Sequence, residues 1–182
     1  MPLWKRACST LVFCGALLGC QAGVDSAAGV LGIDSARVSQ ASDGSVLEAA
    51  VDFRPSEAMR EALDHGIPLT LSLQLDAQAD GVTLRHARLL ELRYFPLSRR
   101  YQLRDDAGVG VHSFAASGYL LDALGALRLP LPGEFSNLPD GSRLTLKVTL
   151  DRGALPGALR LPAMLQSVWR VADAEYTWTV AG

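Results

Sequence analysis

Leu69-Thr70-Leu71-Ser72-Leu73-Gln74-Leu75-Asp76 alternates leucine with a polar residue at every step. Successive side chains of a strand point to opposite faces. The four leucines therefore share one face, and Thr70, Ser72, Gln74 and Asp76 share the other. The same period recurs at Leu47, Ala49, Val51 and Phe53, set against Glu48, Ala50 and Asp52. It recurs again at Leu144, Leu146, Val148 and Leu150, set against Thr145, Lys147 and Thr149. Strands with one apolar and one polar face belong to antiparallel sheets, because parallel sheets are covered on both faces.

The neighbouring segments fit that frame. Ala79-Asp80-Gly81 reads as a turn. A long strand follows from Val82 to about Phe95, with Leu84, Leu90, Leu92 and Tyr94 on one face, and Pro96 breaks it. Tyr101 and Leu103 mark another strand, ended by Asp105-Asp106-Ala107-Gly108, and Val109 and Val111 start its return limb. Upstream, Pro55-Ser56-Glu57 opens a short helix whose apolar stripe is Ala58, Met59, Ala62 and Leu63, with Gly66 as its cap. Leu120, Leu121 and Leu124 fit a second helix near Ser117 to Ala126. Pro130, Pro132, Gly133, Pro139 and Gly141 mark loop, and Leu155 to Met164 reads as a Pro- and Leu-rich link. Trp169 and Val171, then Tyr176, Trp178 and Val180, predict a last strand with a bulge near Asp173-Ala174. The expectation is a mainly β chain: an antiparallel β-sandwich-like domain of six or seven strands over residues 45–182, with two short helices in connections.

Length and charge bound the function. The chain has 182 residues, 49% of them apolar and 20% charged, which suits one globular domain. A net charge of −2 argues against a nucleic-acid partner. Arginine outnumbers lysine 15 to 2 and Asn137 is the single asparagine, a bias typical of GC-rich coding. Lys5 and Arg6 precede an uncharged run from Ala7 to Gly19, too short to span a bilayer and shaped like a secretory signal over residues 1–19. Leu17-Leu18-Gly19-Cys20 resembles a lipobox, so Cys20 is the candidate lipidation site. Gln21 after it fits an outer-membrane destination. The alternative is cleavage after Ala22 and a soluble periplasmic protein. Residues 20–44 read as a flexible tether, with a short extra strand around Val38 as the other reading. Cys8 and Cys14 fall in the signal, which leaves no internal disulfide and no cysteine zinc site in the exported chain.

Several fragments taken together carry a family resemblance. They are Ala62-Leu63 with Gly66-Ile67-Pro68-Leu69, then Leu92-Arg93-Tyr94 with Leu97-Ser98-Arg99-Arg100-Tyr101. Ser113-Phe114, Leu121-Asp122-Ala123-Leu124-Gly125, Leu150-Asp151, Leu155-Pro156, Ser167-Val168-Trp169 and Trp178 follow in order. Over Leu47 to Val180 the chain resembles DUF4390, a proteobacterial family of exported proteins with no assigned activity. The resemblance implies an envelope location. Members often sit beside a sensor kinase and its response regulator, which implies a link to envelope signalling. The lipobox at Cys20 departs from the general pattern of that family.

The polar residues support little chemistry. His65, His86 and His112 lack metal-ligand spacing, and no phosphate-binding glycine loop occurs, so no cofactor is expected. His112-Ser113 with Asp122 gives a weak hydrolase reading, without a nucleophile elbow. Asp105-Asp106 reads as a hairpin turn. Charge is more telling. Residues 81–104 hold six arginines (Arg85, Arg88, Arg93, Arg99, Arg100 and Arg104) and one acid, between two acidic flanks. Guanidinium groups suit paired hydrogen bonds to phosphate or carboxylate. The expected function is therefore a non-enzymatic binding or scaffold module. Its partners would be the membrane, through a lipid anchor, and an envelope protein or anionic ligand met by the arginines. A carrier of a hydrophobic small molecule or lipid between the layers is the alternative reading.

Overall fold

The computed structural model describes residues 28–42, 44–79, 81–107 and 110–180. Among them are nine strands: β1 (Val30–Ala41), β2 (Gly44–Arg54), β3 (Leu69–Ala79), β4 (Val82–Phe95), β5 (Arg100–Asp105), β6 (Val111–Phe114), β7 (Leu127–Pro130), β8 (Arg143–Leu150) and β9 (Ala174–Thr179). Three α-helices join them: α1 (Glu57–Asp64), α2 (Ser117–Leu124) and α3 (Gly157–Leu165). One sheet has the order β1-β2-β7 and the other β6-β5-β4-β3-β8-β9. Every pairing is antiparallel. The mainly β, sandwich-like expectation holds, with more strands than the sequence pattern revealed.

The leucine ladder lies at the centre. Leu71, Leu73 and Leu75 are buried, and they pair with Leu150, Val148 and Leu146 on β8 and with Leu90, Arg88 and His86 on β4. From the other sheet, Leu47, Val51 and Phe53 of β2 contribute to the same core. Helix α1 closes one end. Ser56 caps it, its Oγ accepting from the Met59 N–H at 3.2 Å, and Met59, Ala62 and Leu63 are buried. Gly66 takes φ +82°, and a Cβ there would come within 3.2 Å of the Tyr94 carbonyl oxygen, so only glycine turns the chain at this point. Because Ser56 is itself buried, Ser56→Ala should cost about 1 kcal/mol, read as a lower urea midpoint at constant slope.

Three expectations need correction. Residues 30–41 are not tether: β1 pairs along β2 from Val30–Arg54 to Ala41–Gly44. A register shift between Ile33 and Ser35 breaks the period-two pattern, and only Leu31 and Ala36 are buried along this edge strand. The domain therefore begins before residue 45. Leu155 to Met164 is not simply a link, since α3 starts directly after Pro156 and runs through Pro162. Helix starts favour proline nearby, and the interior one obscured the pattern. Trp169 ends a 3-10 turn over Ser167–Trp169 and lies outside any strand, so the change of phase before Tyr176 is a change of element and not a bulge. The signal segment, Cys20 and Ala22 lie outside the described residues.

The sandwich is closed on one side and parted on the other. Strand β1 lies against β9. Opposite them, β6 and β7 are both sheet edges and belong to different sheets. Helix α2 packs against β2, β5 and β6 there.

A candidate binding cavity between the sheets

A cavity of about 360 Å³ lies on the parted side, between β4, β5 and β6 below and α2 and β7 above. That volume is in the range of small-ligand sites. Leu90, Leu103, Phe114, Ala123, Leu127 and Leu129 make most of its wall. Strand alternation explains the lining. Leu90 pairs with Asp105, and Leu103 with His112, so all four face the same side of their sheet. On β7, Leu127 and Leu129 are buried while Arg128 turns outward to Glu48, its Nη2 lying 3.1 Å from Oε1.

Asp105 is the unusual member. It is only 8% exposed. Its Oδ1 accepts the Ala107 N–H at 3.2 Å. Its Oδ2 is buried and has no hydrogen-bond partner among the described residues. Burial pushes the Asp105 carboxyl above the ordinary aspartate range, and the Asp106 carboxyl adds to this. The Ala107 N–H and the Arg88 cation work against it.

Arg88 stands behind the carboxyl. Its Nη1 lies 3.8 Å from Asp105 Oδ1, a charge contact without a hydrogen bond. Its other donors are committed elsewhere: Nη2 to the Pro130 carbonyl at 3.1 Å and Nε to His86 Nε2 at 2.9 Å. The first of these ties β4 to β7, hence one sheet to the other. The second requires an unprotonated Nε2 on His86. Burial, and then the Arg88 charge, hold the His86 imidazole below its usual pKa. The imidazole meets Phe135 at a centroid distance of 6.1 Å and an interplanar angle of 63°.

The six arginines do not form one patch. Arg88 faces inward with Leu90 and Leu92. Arg85 faces outward but pairs with Asp76, Nε to Oδ1 at 2.9 Å. Arg93, Arg100 and Arg104 share the outer face of the β4–β5 hairpin, where Arg104 stands opposite Glu91 and Arg93 lies 5.1 Å from the centre of the Phe95 ring. Arg99 is exposed in the connecting turn at φ +52°, a left-handed conformation unusual for a side chain of its size. Nor are His112, Ser113 and Asp122 assembled. Ser113 pairs with Gln102 on the outer face, while its neighbour His112 faces inward. Among the described residues, no group of three or more His, Cys, Asp or Glu side chains could hold a metal ion. No helix there is long and apolar enough to cross a membrane.

Asp105 was legible as more than a turn residue. It continues the inward series Tyr101, Leu103, Asp105, just as Arg88 continues Leu84, His86, Arg88, Leu90. The composition of Asp105-Asp106-Ala107-Gly108 suggested a turn and masked that phase.

No curated protein and no solved structure matches the chain. The model of a family described as a domain of unknown function, DUF4390, matches residues 29–179, which spans both sheets and all three helices just described. The chain belongs to the DUF4390 family.

Proposed function

We propose that this domain is a non-enzymatic binding module of the cell envelope that holds a small apolar molecule between its two sheets. The cavity on the β6–β7 side carries the reading: it is ligand-sized, apolar-walled and contains one buried polar group. Export through residues 1–19, with lipid attachment at Cys20, would place the module at the periplasmic face of the outer membrane. A link to envelope signalling would make it a sensor of what it binds.

The anionic-partner reading comes second and rests on a smaller set than the sequence suggested. Arg93, Arg100 and Arg104 are its members, with Arg99 in the adjoining turn. Arg104 faces Glu91, and exposed ion pairs of this kind contribute little on their own.

Native mass spectrometry of the protein released gently from its envelope tests both readings. The expected result is a retained apolar companion beside a diacylglyceryl-modified Cys20. Ala123→Phe, which puts a ring into the cavity wall, should abolish retention while circular dichroism stays unchanged. An empty protein that also takes up no neutral naphthylamine dye would overturn the carrier reading. A retained acidic companion lost in Arg100→Glu/Arg104→Glu would put the outer face first.

A further inference from the structure

One end of the sandwich carries an apolar surface that the core does not use. We infer that this end docks on a phospholipid surface containing anionic lipid, with α3 lying against it. The inference rests on the lipid attachment at Cys20 proposed above and goes further by assigning the face that meets the membrane.

Strand direction defines the end. The register sets the start of β1 beside the end of β2 (Val30 with Arg54). It sets the end of β8 beside the starts of β3 and β9 (Leu150 with Leu71, Val148 with Ala174). The β4–β5 turn, between Phe95 and Arg100, falls at the same end, since Leu92 pairs with Leu69. Helix α1 joins β2 to β3 and α3 joins β8 to β9, so both helices lie there. Gly29 is there too: a Cβ on it would come within 3.0 Å of Val171 Cγ2 and 3.3 Å of the Ser56 nitrogen. Helix α3 buries Ala163 but leaves Leu161 70% and Leu165 76% exposed, with Met164 exposed between them. These positions are i, i+3 and i+4, one face of a helix. Leu97, in the β4–β5 turn, is fully exposed at the same end. Grouped exposed leucines of this kind mark an interaction surface.

Charge and reach select the occupant. Residues 152–172 hold Arg152, Arg160 and Arg170 and no acid. Arg99 and Arg100 follow Leu97. All five are exposed, and none is in an ion pair among the described residues. Of the acids on α1, Asp64 accepts from the Tyr101 hydroxyl at 2.7 Å and Glu57 pairs with Arg60. Leucines beside arginines suit the boundary between acyl chains and anionic head groups. Ala28 follows Cys20 by eight residues. At about 3.6 Å per residue, a lipid-modified Cys20 would keep this end within about 29 Å of the bilayer.

The test uses the exported chain in vesicles of phosphatidylethanolamine and phosphatidylglycerol. Leu165→Cys and, at the opposite end, Val82→Cys each take an NBD fluorophore. Both positions are exposed, and acylation of Cys20 leaves no other thiol in the exported chain. Phospholipid carrying a nitroxide on its acyl chain should quench the label on Leu165→Cys and leave that on Val82→Cys bright. Quenching of both alike, or of neither, would overturn the docking face and leave the anchor standing. Shielding of Leu165→Cys in whole envelopes but not in vesicles would give the face to a protein and overturn it likewise. Equal quenching in phosphatidylcholine alone would overturn the part given to the arginines. Intact mass reports the acyl group separately. If the chain is unacylated, the anchor reading falls, and sedimentation of that chain with the same vesicles decides the face. Leu161→Ser/Leu165→Ser should then lower partitioning at least about tenfold, and an unchanged value would overturn the inference.

Discussion

Phe135→Ala is expected to lower the unfolding free energy by about 3–5 kcal/mol. Phe135 sits on a 3-10 turn, Gly133–Asn137, in a region rich in proline and glycine, yet it is only 1% exposed. The turn packs on β2, and the ring meets His86 of β4, so one side chain fills space between the two sheets. Side chains around the turn hold it in place: Ser45 Oγ donates to Ser136 Oγ at 3.0 Å, and Gln40 Nε2 to the Ser136 carbonyl at 3.1 Å. These contacts limit collapse around the missing ring, which is the condition for a large loss. Urea unfolding reads it as a shifted midpoint with unchanged slope. A loss below about 1 kcal/mol would mean that the turn moves inward to close the void, contrary to its role as a fixed spacer.

Arg88→Leu should cost about 3 kcal/mol near neutral pH, because it leaves Asp105 without its cation and the Pro130 carbonyl without a donor. Adding Asp105→Leu should recover most of that loss, since two apolar residues replace a desolvated pair. The pH dependence follows from the direction of each shift. The folded pKa of Asp105 lies above its ordinary value, so its effect disfavours folding as pH rises from the usual aspartate range through the folded value. Removing Arg88 raises that folded value further and deepens the penalty at high pH. His86 is shifted down, so its contribution is lost as pH falls below the usual imidazole range. Removing Arg88 relieves part of that shift and spares the variant in acid. Both effects make the deficit of Arg88→Leu shrink on acidification, which thermal unfolding at pH about 4 and about 8 would read. A deficit independent of pH would mean that Arg88 acts through packing alone.

Much of the central sheet was readable because its strands are long and strictly alternating. Leu69 to Leu75 and Leu144 to Val148 keep their phase and bury their apolar face as that phase predicts, with departures only at the strand ends, where Thr70 is buried too and Leu150 is partly exposed. What escaped lies where local chemistry overrides the period. In β1 the shift after Ile33 leaves no single apolar face to count. Around α3, Pro156 just before its first residue and Pro162 inside it resemble linker composition, although the helix forms with both. The candidate cavity was the least legible part. Its lower wall follows from the alternation of β4 and β5, but its upper wall depends on where the four residues of β7 pair after α2. Nothing in Leu127-Arg128-Leu129-Pro130 states that it joins Val46 to Ala49 across the molecule. The arginine cluster shows the reverse error. Six positive charges close in sequence looked like one surface, yet the pleat sends Arg88 to the core side and Arg85 to a separate partner.

The Arg88–Pro130 hydrogen bond has one more consequence. The β1–β9 corner acts as a spine and this bond as a clasp on the far margin, beside two four-residue edge strands. Short margins open at far lower free energy than the interior of a six-stranded sheet. Under the carrier reading, a guest would pass in and out by local fraying of β6 and β7 while the leucine ladder stays shut, so the lifetime of such a complex and the lifetime of the fold would be set by different parts of the molecule.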